Sequence, residues 1–198
     1  RHEFLDEVGS LLKNSKYVNG GYGNVKSIAI TAFQDGGLPI LKNKCALHRQ
    51  ASFYANQWPE EAKVAPDGDA YAFYLPGMNT QNKPLLGGGE FLAAFNDKPE
   101  TQAVQLYFGS EEWVNGKAKI GDWISANKKL DVANVANPID KLSVELMQDP
   151  KTVLRFDGSD MMPAAVGSGS FWKGMTSWIT GKSTTDTLKF IEDSWPTS

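Results

Sequence analysis

Apolar positions spaced three and four residues apart predict helices near the start of the chain. Residues 3–13 carry one such stripe and residues 24–34 carry a second, with a glycine-containing break between them at residues 19–21. A further helical turn or short helix is predicted over residues 50–57, and Pro59 sets its end. The first third of the chain is therefore predicted to hold short helices separated by Gly and Pro.

Short apolar runs predict strands between these helices. Residues 38–41, 44–48 and 70–75 have the length and composition of strands, and residues 151–156 form another run of this kind. The longer run over 85–95 is also apolar, but three successive glycines interrupt it. Strands that alternate with helices predict an α/β fold.

The C-terminal half carries explicit helix-start signals. Pro99 is predicted in the first turn of a helix that runs to Phe108, and Ser110 is predicted to cap the helix after it. Three later helices complete the prediction: one from Asn137-Pro138 to Gln148, one over residues 170–180, and a last one that Ser183 opens and that includes Leu188, Ile191 and Trp195. The α/β fold is therefore expected to end in a helical C-terminus.

Composition excludes several classes of partner. The 198 residues are 41% apolar and 22% charged, with a net charge of -3. A weakly acidic chain without long Lys or Arg runs is not expected to bind nucleic acid. It has no apolar stretch of membrane-spanning length and no signal peptide after Arg1, so a cytosolic or an already processed chain is expected. The lone Cys45 excludes an internal disulfide and is expected to be a small buried residue.

Catalytic machinery is not evident in the sequence. The two histidines, His2 and His48, stand in no cluster with metal-ligand spacing, so no metal and no cofactor is expected. No nucleophile elbow occurs. Pairs of carboxylates suffice for glycoside hydrolysis, but those at 157/160, 111/112 and 60/61 are better explained as caps, turns or solvated surface. No catalytic residue is therefore assigned.

Three segments, taken in order, resemble the maltose-binding-protein-like solute-binding proteins of bacterial ABC importers. Residues 44–53 resemble the strand and turn that presents a stacking aromatic to the sugar. Residues 85–103 resemble the glycine-rich strand of this family and the helix that follows it. Residues 161–163, 170–172 and 184–188 resemble its C-terminal pattern. The sequence of residues 157–167 is most similar to the alpha-glucoside-binding branch of the family.

The resemblance implies a sugar-binding site built from three kinds of residue. Aromatic rings would cover the apolar faces of the sugar, polar side chains would bond its hydroxyls, and glycines would let the backbone approach it. The predicted residues are Phe53 and Trp172, then Arg49, Gln50 and Glu90, and then Gly88 and Gly89.

Structural explanations of the same residues stay open beside this one. Gly88 and Gly89 also fit a β-bulge, Arg49 also fits an ion pair, and Glu90 also fits a solvated surface.

The resemblance covers residues 4–195 and implies the C-terminal portion of a two-lobed, type II periplasmic-binding-protein fold. Residues 1–68 would belong to the second lobe, residues 69–136 to the first lobe, and residues 137–198 would return to the second. A missing N-terminal lobe or partner chain is therefore expected, together with ABC permease subunits as partners. The implied location is periplasmic or extracellular, and a membrane anchor through the missing N-terminus is compatible with it.

The predicted function is non-covalent capture of a sugar, an alpha-glucoside or an oligosaccharide, for delivery to the permease. Two alternatives remain at this point. One is a glycan-acting hydrolase, which needs two convergent carboxylates at a fixed separation. The other is a stand-alone carbohydrate-recognition module that serves no transporter.

Overall fold

A computed structural model of the protein describes residues 2–18, 25–77 and 81–197. The chain divides into two compact units. Unit 1 comprises Arg1–His48 and Phe156–Ser198, and unit 2 comprises Arg49–Arg155. These divisions fall at positions other than the predicted lobe boundaries at 68 and 136, and the assignment of either unit to a lobe stays a prediction.

The described residues contain both helices and strands, which agrees with the predicted mixed class. Six α-helices and one two-stranded sheet are present in this part of the chain. In chain order they are α1 (His2–Leu12), β1 (Lys83–Gly87), α2 (Pro99–Phe108), α3 (Glu111–Ile120), α4 (Pro138–Gln148), β2 (Thr152–Phe156), α5 (Phe171–Ile179) and α6 (Thr184–Glu192). None of the helices in the described ranges has the length and apolar character needed to cross a membrane.

Unit 1 is organised around Trp178 of α5. This side chain is 1% exposed and packs with Leu5 of α1 and Ile179 of α5 in one apolar cluster. Its indole N–H donates to the Thr184 hydroxyl at 3.2 Å, and that hydroxyl donates to Asp6 Oδ1 at 2.9 Å. A buried indole N–H needs such a partner, so this chain of bonds ties α1, α5 and α6 together.

Two glycines allow the helices of unit 1 to approach closely. A Cβ at Gly9 of α1 would lie 2.9 Å from the Trp178 ring, and a Cβ at Gly174 of α5 would lie 2.9 Å from the Ile191 side chain of α6. Both distances are shorter than an ordinary van der Waals contact. The absence of a side chain at these two positions is therefore part of the packing.

Unit 2 has its own apolar core between α3 and α4. Ala118, Leu130, Val135 and Val144 form the buried cluster. The two helices begin at predicted caps: the Ser110 hydroxyl accepts the Trp113 N–H at 3.1 Å, and the Asn137 side chain accepts the Ile139 N–H at 2.8 Å. The core of unit 2 therefore depends on helices whose start signals are local.

The sheet of strands β1 and β2 is supported by an ion pair at its end. Lys83 Nζ donates to Asp149 Oδ2, and the backbone N–H of Lys151 donates to Asp149 Oδ1 at 2.8 Å. The hydrogen bond from Lys83, followed by that from Lys151, lowers the pKa of Asp149 below its ordinary value. Asp149 is therefore an ionised anchor between α4 and β2.

Four predictions in the first half of the chain were wrong in type. Residues 38–41 lie in a 3₁₀-helix, Leu38–Lys42, where Pro39 has no N–H to give to a sheet. Residues 44–48 form no strand, and residues 70–75 form only an isolated bridge from Ala70 to Val64. The predicted helix over 24–34 is a 3₁₀-helix, Val25–Ala29, and its first position lies outside the described residues.

Several boundaries were also wrong. The helical turn predicted over 50–57 is a 3₁₀-helix, Ser52–Gln57. The glycine-interrupted run pairs as a strand only up to Gly87, because the residues after it have no partner strand. The last helix ends at Glu192, before Trp195. The predicted break at residues 19–21 lies outside the described residues.

The predictions with explicit start signals were confirmed. Helices α2 and α4 have the predicted bounds, β2 follows as expected, and Ser183 caps α6 by accepting the Asp186 N–H at 3.0 Å. Local hydrogen bonds decide such starts, which is why the sequence alone identifies them.

Candidate functional site

A cavity of about 460 Å³ lies in unit 1 beside Trp172. The loop that follows β2 and the first turn of α5 form its walls. Besides Trp172, its lining comprises Ser159, Asp160, Met162, Ala164, Gly167 and Ser168. The volume is in the range of small-molecule sites.

The loop begins with a turn that Asp157 holds in place. Asp157 Oδ1 accepts the backbone N–H of Ser159 at 2.8 Å and the Ser159 hydroxyl at 2.7 Å. These two bonds lower the pKa of Asp157 below its ordinary value, the side-chain bond more than the backbone bond. The carboxylate of Asp157 is therefore ionised at neutral pH and is occupied by its own turn.

Gly167 lets the two sides of the loop meet. A Cβ at this position would lie 2.0 Å from the carbonyl oxygen of Ser159, a distance that no side chain tolerates. The backbone N–H of Gly167 donates to the carbonyl of Pro163 at 2.9 Å. The cavity floor therefore requires glycine here, for a steric reason.

A π-helical segment, Ala165–Ser170, leads directly into α5. Val166 anchors it from the buried side, whereas Ser168 lines the cavity and donates its hydroxyl to the carbonyl of Ala164 at 3.0 Å. Widened π-turns of this kind are frequent at functional sites. The segment thus presents the Ser168 side chain to the cavity, while Val166 is buried in the core.

Trp172 is 69% exposed although it lies in the first turn of an amphipathic helix. Helical side chains lean toward the N-terminus of their helix, which carries the indole ring back over the π-helical segment and places it in the cavity lining. An exposed indole next to hydroxyls and a carboxylate can cover the apolar face of a sugar while the polar groups bond its hydroxyls. The structure therefore places one of the seven predicted residues in a cavity of suitable chemistry.

The other six predicted residues lie in unit 2. Arg49 and Gln50 are exposed just before the 3₁₀-helix, and Phe53 is half exposed on it. Gln50 Oε1 accepts the backbone N–H of Ala51 at 2.9 Å, which is a local contact. The neighbouring Tyr54 is buried, so this short helix directs Phe53 outward and Tyr54 inward.

The glycine-rich segment of unit 2 is exposed. Gly88, Gly89 and Glu90 follow the end of β1 and have no regular secondary structure. A Cβ at Gly89 would meet no atom within 4 Å in the described structure, so no neighbour in the chain requires glycine there. The role of these three residues in ligand binding stays a prediction.

Sequence reasoning did not assign the residues that share the cavity with Trp172. Ser159 and Asp160 were part of a resembling segment and Ser168 lies just after it, but none of the three was named as a binding residue. A signal was present, because small and polar residues are dense over 157–170 and end at an aromatic pair. Only the close approach at Gly167 shows that this segment folds back onto itself.

Two carboxylates of the candidate catalytic pairs, and His48, have contacts or surroundings that are structural. Asp157 holds a turn, Glu111 pairs with Lys129 at 3.1 Å, and burial lowers the pKa of His48, which lies beside Gly36. Within residues 2–18, 25–77 and 81–197, no three His, Cys, Asp or Glu side chains are grouped to hold a metal ion.

Comparison with known proteins identifies two relatives. The chain is 35% identical over 195 residues to an osmoprotective compounds-binding protein of Synechocystis, an alignment that covers 97% of the chain and 45% of the relative. It is 32% identical over 200 residues to an alpha-glucosides-binding periplasmic protein of Rhizobium meliloti, across 96% of the chain and 42% of the relative. No protein-family profile and no solved structure matches the chain.

The chain spans less than half the length of these curated relatives. Both relatives are named as binding proteins, and nearly every residue of the chain aligns with them. The resemblance seen in the sequence is thereby confirmed: nearly the whole chain is similar to part of two solute-binding proteins.

Proposed function

We propose that the chain is part of the substrate-binding component of a carbohydrate ABC importer. It binds a sugar non-covalently and releases it unchanged to the permease. The ligand class is an alpha-glucoside or a related neutral oligosaccharide, and the site includes Trp172 of unit 1. Periplasmic or extracellular location and docking on membrane permease subunits are part of the same proposal.

The cavity beside Trp172 is the observation that carries this proposal. Its exposed indole supplies an apolar plane, and Ser159, Ser168 and Asp160 supply hydroxyl and carboxylate groups around it. A sugar has apolar C–H faces with a rim of hydroxyls, so it matches both halves of this lining. A volume of about 460 Å³ is large enough for a disaccharide.

The relatives support the ligand class. One is named for alpha-glucosides and the other for osmoprotective compounds. These names favour a small polar solute over a macromolecule. Because the chain spans under half of each relative, we propose that residues beyond it complete the site. Within unit 2, Arg49, Gln50, Phe53, Gly88, Gly89 and Glu90 stay predicted sugar-binding residues.

Calorimetric titration of the chain with maltose, trehalose and sucrose tests the proposal. We expect saturable binding of at least one of these sugars and recovery of that sugar with unchanged mass. The Trp172→Ala variant should bind at least about tenfold more weakly, because the apolar plane is lost. Trp195→Ala is the matched control, since Trp195 is exposed but does not line the cavity.

Three results would contradict the proposal. One is equal binding by the Trp172 and Trp195 variants. Another is hydrolysis of the sugar, which would favour the glycosidase alternative. The third is the absence of any binding by the folded chain and also by a longer chain that includes its natural flanking sequence.

A further inference from the structure

The charged residue in the described lining of the Trp172 cavity is acidic. Asp160 belongs to the lining, and Asp157 is hydrogen-bonded to Ser159, which also lines it. Among the described residues that line the cavity, none is Lys or Arg. An anionic ligand would therefore meet uncompensated carboxylate charge, whereas a neutral one would not.

The two carboxylates differ in what they are free to do. Asp157 is occupied by two hydrogen bonds from Ser159. Asp160 is exposed, and within the described part of the chain its side chain forms no hydrogen bond or ion pair. An ionised carboxylate accepts up to four hydrogen bonds and donates none. Asp160 is thus an open acceptor on the cavity wall that faces solvent.

We propose that Asp160 is a specificity-determining residue of the cavity, where it accepts hydrogen bonds from ligand hydroxyls and excludes acidic sugars. This inference rests on the function proposed above and narrows its substrate class to neutral polyols. The hydroxyls of Ser159 and Ser168 rotate to donate or accept, so they adapt to any sugar. The Asp160 carboxylate can only accept hydrogen bonds and carries a negative charge, so it favours neutral ligands over anionic ones.

A small organic cation is the competing ligand class, because a carboxylate beside an indole also attracts positive charge. Cages that hold quaternary ammonium groups surround them with several aromatic rings. Trp172 is the only aromatic residue in the described lining of this cavity. Hydroxyl-bearing neutral ligands fit one ring with several hydrogen-bonding groups better than a cation does.

The test compares three probes by calorimetry: trehalose, trehalose 6-phosphate and choline. The wild-type chain should bind trehalose at least about tenfold more tightly than either of the others. Asp160→Asn should weaken trehalose binding about tenfold, since hydrogen bonds to a charged acceptor are stronger than those to an amide oxygen. The same variant should bind trehalose and its phosphate with a smaller ratio of affinities.

Two further measurements, at different salt concentrations and on a conservative variant, show whether the charge of Asp160 sets the ligand preference or whether the substitution merely disturbs the fold. In the wild type, preference for trehalose over its phosphate should shrink between 20 mM and 500 mM NaCl, because salt screens exposed charges, and in Asp160→Asn it should change less. Asp160→Glu should retain the preference. Glu7→Gln removes one exposed charge from the same unit outside the cavity and should leave all affinities unchanged.

The outcomes distinguish this inference from the function beneath it. Trehalose bound equally by the wild type and Asp160→Asn, with the same ratio to its phosphate, overturns the role of Asp160 while sugar binding stands. Tighter binding of choline than of trehalose overturns the substrate class. The proposed function itself is overturned if neither the folded chain nor a longer chain with its natural flanking sequence binds trehalose, maltose or sucrose.

Discussion

Helices α5 and α2 are of similar length and are both rich in large apolar residues, yet of the two only α5 has buried residues. Helix α5 buries Gly174, Trp178 and Ile179 against its neighbours in unit 1. Helix α2 in unit 2 buries none of its ten residues, and Leu106 remains 76% exposed. The difference teaches that apolar content alone does not bury a helix.

Packing partners explain the contrast. Helix α5 meets α1 and α6 at positions where glycines permit close approach and where a hydrogen bond satisfies the indole N–H of Trp178. Around α2, the preceding segment also exposes its apolar side chains, among them Phe91 and Phe95. Exposed apolar surface on this scale is typical of an interaction surface.

Among the substitutions that test this comparison, Trp178→Ala is expected to have the largest effect on stability. Removing a fully buried indole leaves a cavity between α1, α5 and α6, and should lower the free energy of unfolding by about 3–5 kcal/mol. Chemical denaturation followed by circular dichroism measures the change. Trp172→Ala in the same helix should change stability by less than about 0.5 kcal/mol, because that ring is exposed. Similar losses for both variants would contradict the packing described here.

Replacing two helical glycines with alanine should change the stability of the protein in opposite directions. Gly174→Ala places a methyl group 2.9 Å from Ile191, so overpacking should outweigh the gain in helix propensity and cost about 1 kcal/mol net. Gly116→Ala in α3 meets nothing within 4 Å and should stabilise by about 0.5–1 kcal/mol. Thermal melting of the two variants gives both signs. A Gly174→Ala variant that is more stable than the wild type would mean that the contact between α5 and α6 accommodates a methyl group without strain.

Helix α4 of unit 2 buries a carboxylate, and the resulting loss of stability should depend on pH. Asp140 in α4 is 5% exposed, and its Oδ2 has no hydrogen-bond partner within the described structure. Burial, and to a lesser extent the charge of Asp122, raises the pKa of Asp140. The folded state therefore holds the Asp140 proton more tightly than the unfolded state does. The resulting stability is complete below about pH 4 and is lost as pH rises through the raised value.

Asp140→Asn removes this dependence. At pH 7 the variant should be more stable than the wild type by about 1 kcal/mol, because no charge has to be buried, and the gain should shrink toward pH 4. Urea unfolding at the two pH values measures it. A variant that is less stable than the wild type at pH 7 would show that the carboxylate has a partner in solution.

The smallest effect is expected in α2 itself. Leu106→Ser should change the free energy of unfolding by less than about 0.5 kcal/mol, since the side chain is already in water. The measurement is equilibrium unfolding at two protein concentrations. A loss above about 2 kcal/mol that grows with protein concentration would mean that a second copy of the chain covers α2, and the contrast with α5 would disappear.

Local signals in the sequence predicted the helix starts well. Pro99, Ser110, Asn137 and Ser183 act through backbone hydrogen bonds and fixed φ angles within three residues, and each helix begins where they indicate. Strands were predicted poorly because a strand needs a partner. The run over 70–75 looks like a strand, but beyond the bridge at Ala70 the described chain offers it no pairing.

The candidate site was predicted in part for the same reason. Trp172 was identified from its resemblance to a stacking aromatic, and the structure places it in a cavity. Asp160 and Ser168 could not be assigned, because their position beside Trp172 depends on how the loop closes. A sequence pattern records residues that lie near each other along the chain, and this closure is a contact between Ser159 and Gly167.

The sequence by itself determined the helix starts, the absence of long basic or membrane-length apolar runs, and the relationship to solute-binding proteins. The tertiary structure alone decided that Trp178 packs against Leu5 of α1, and that Ser159, Asp160 and Ser168 share a cavity with Trp172. It also decided that Asp157 is occupied and Asp160 is open. The physical reason is that capping and turn energies are local, whereas burial depends on neighbours that the chain brings together from distant positions.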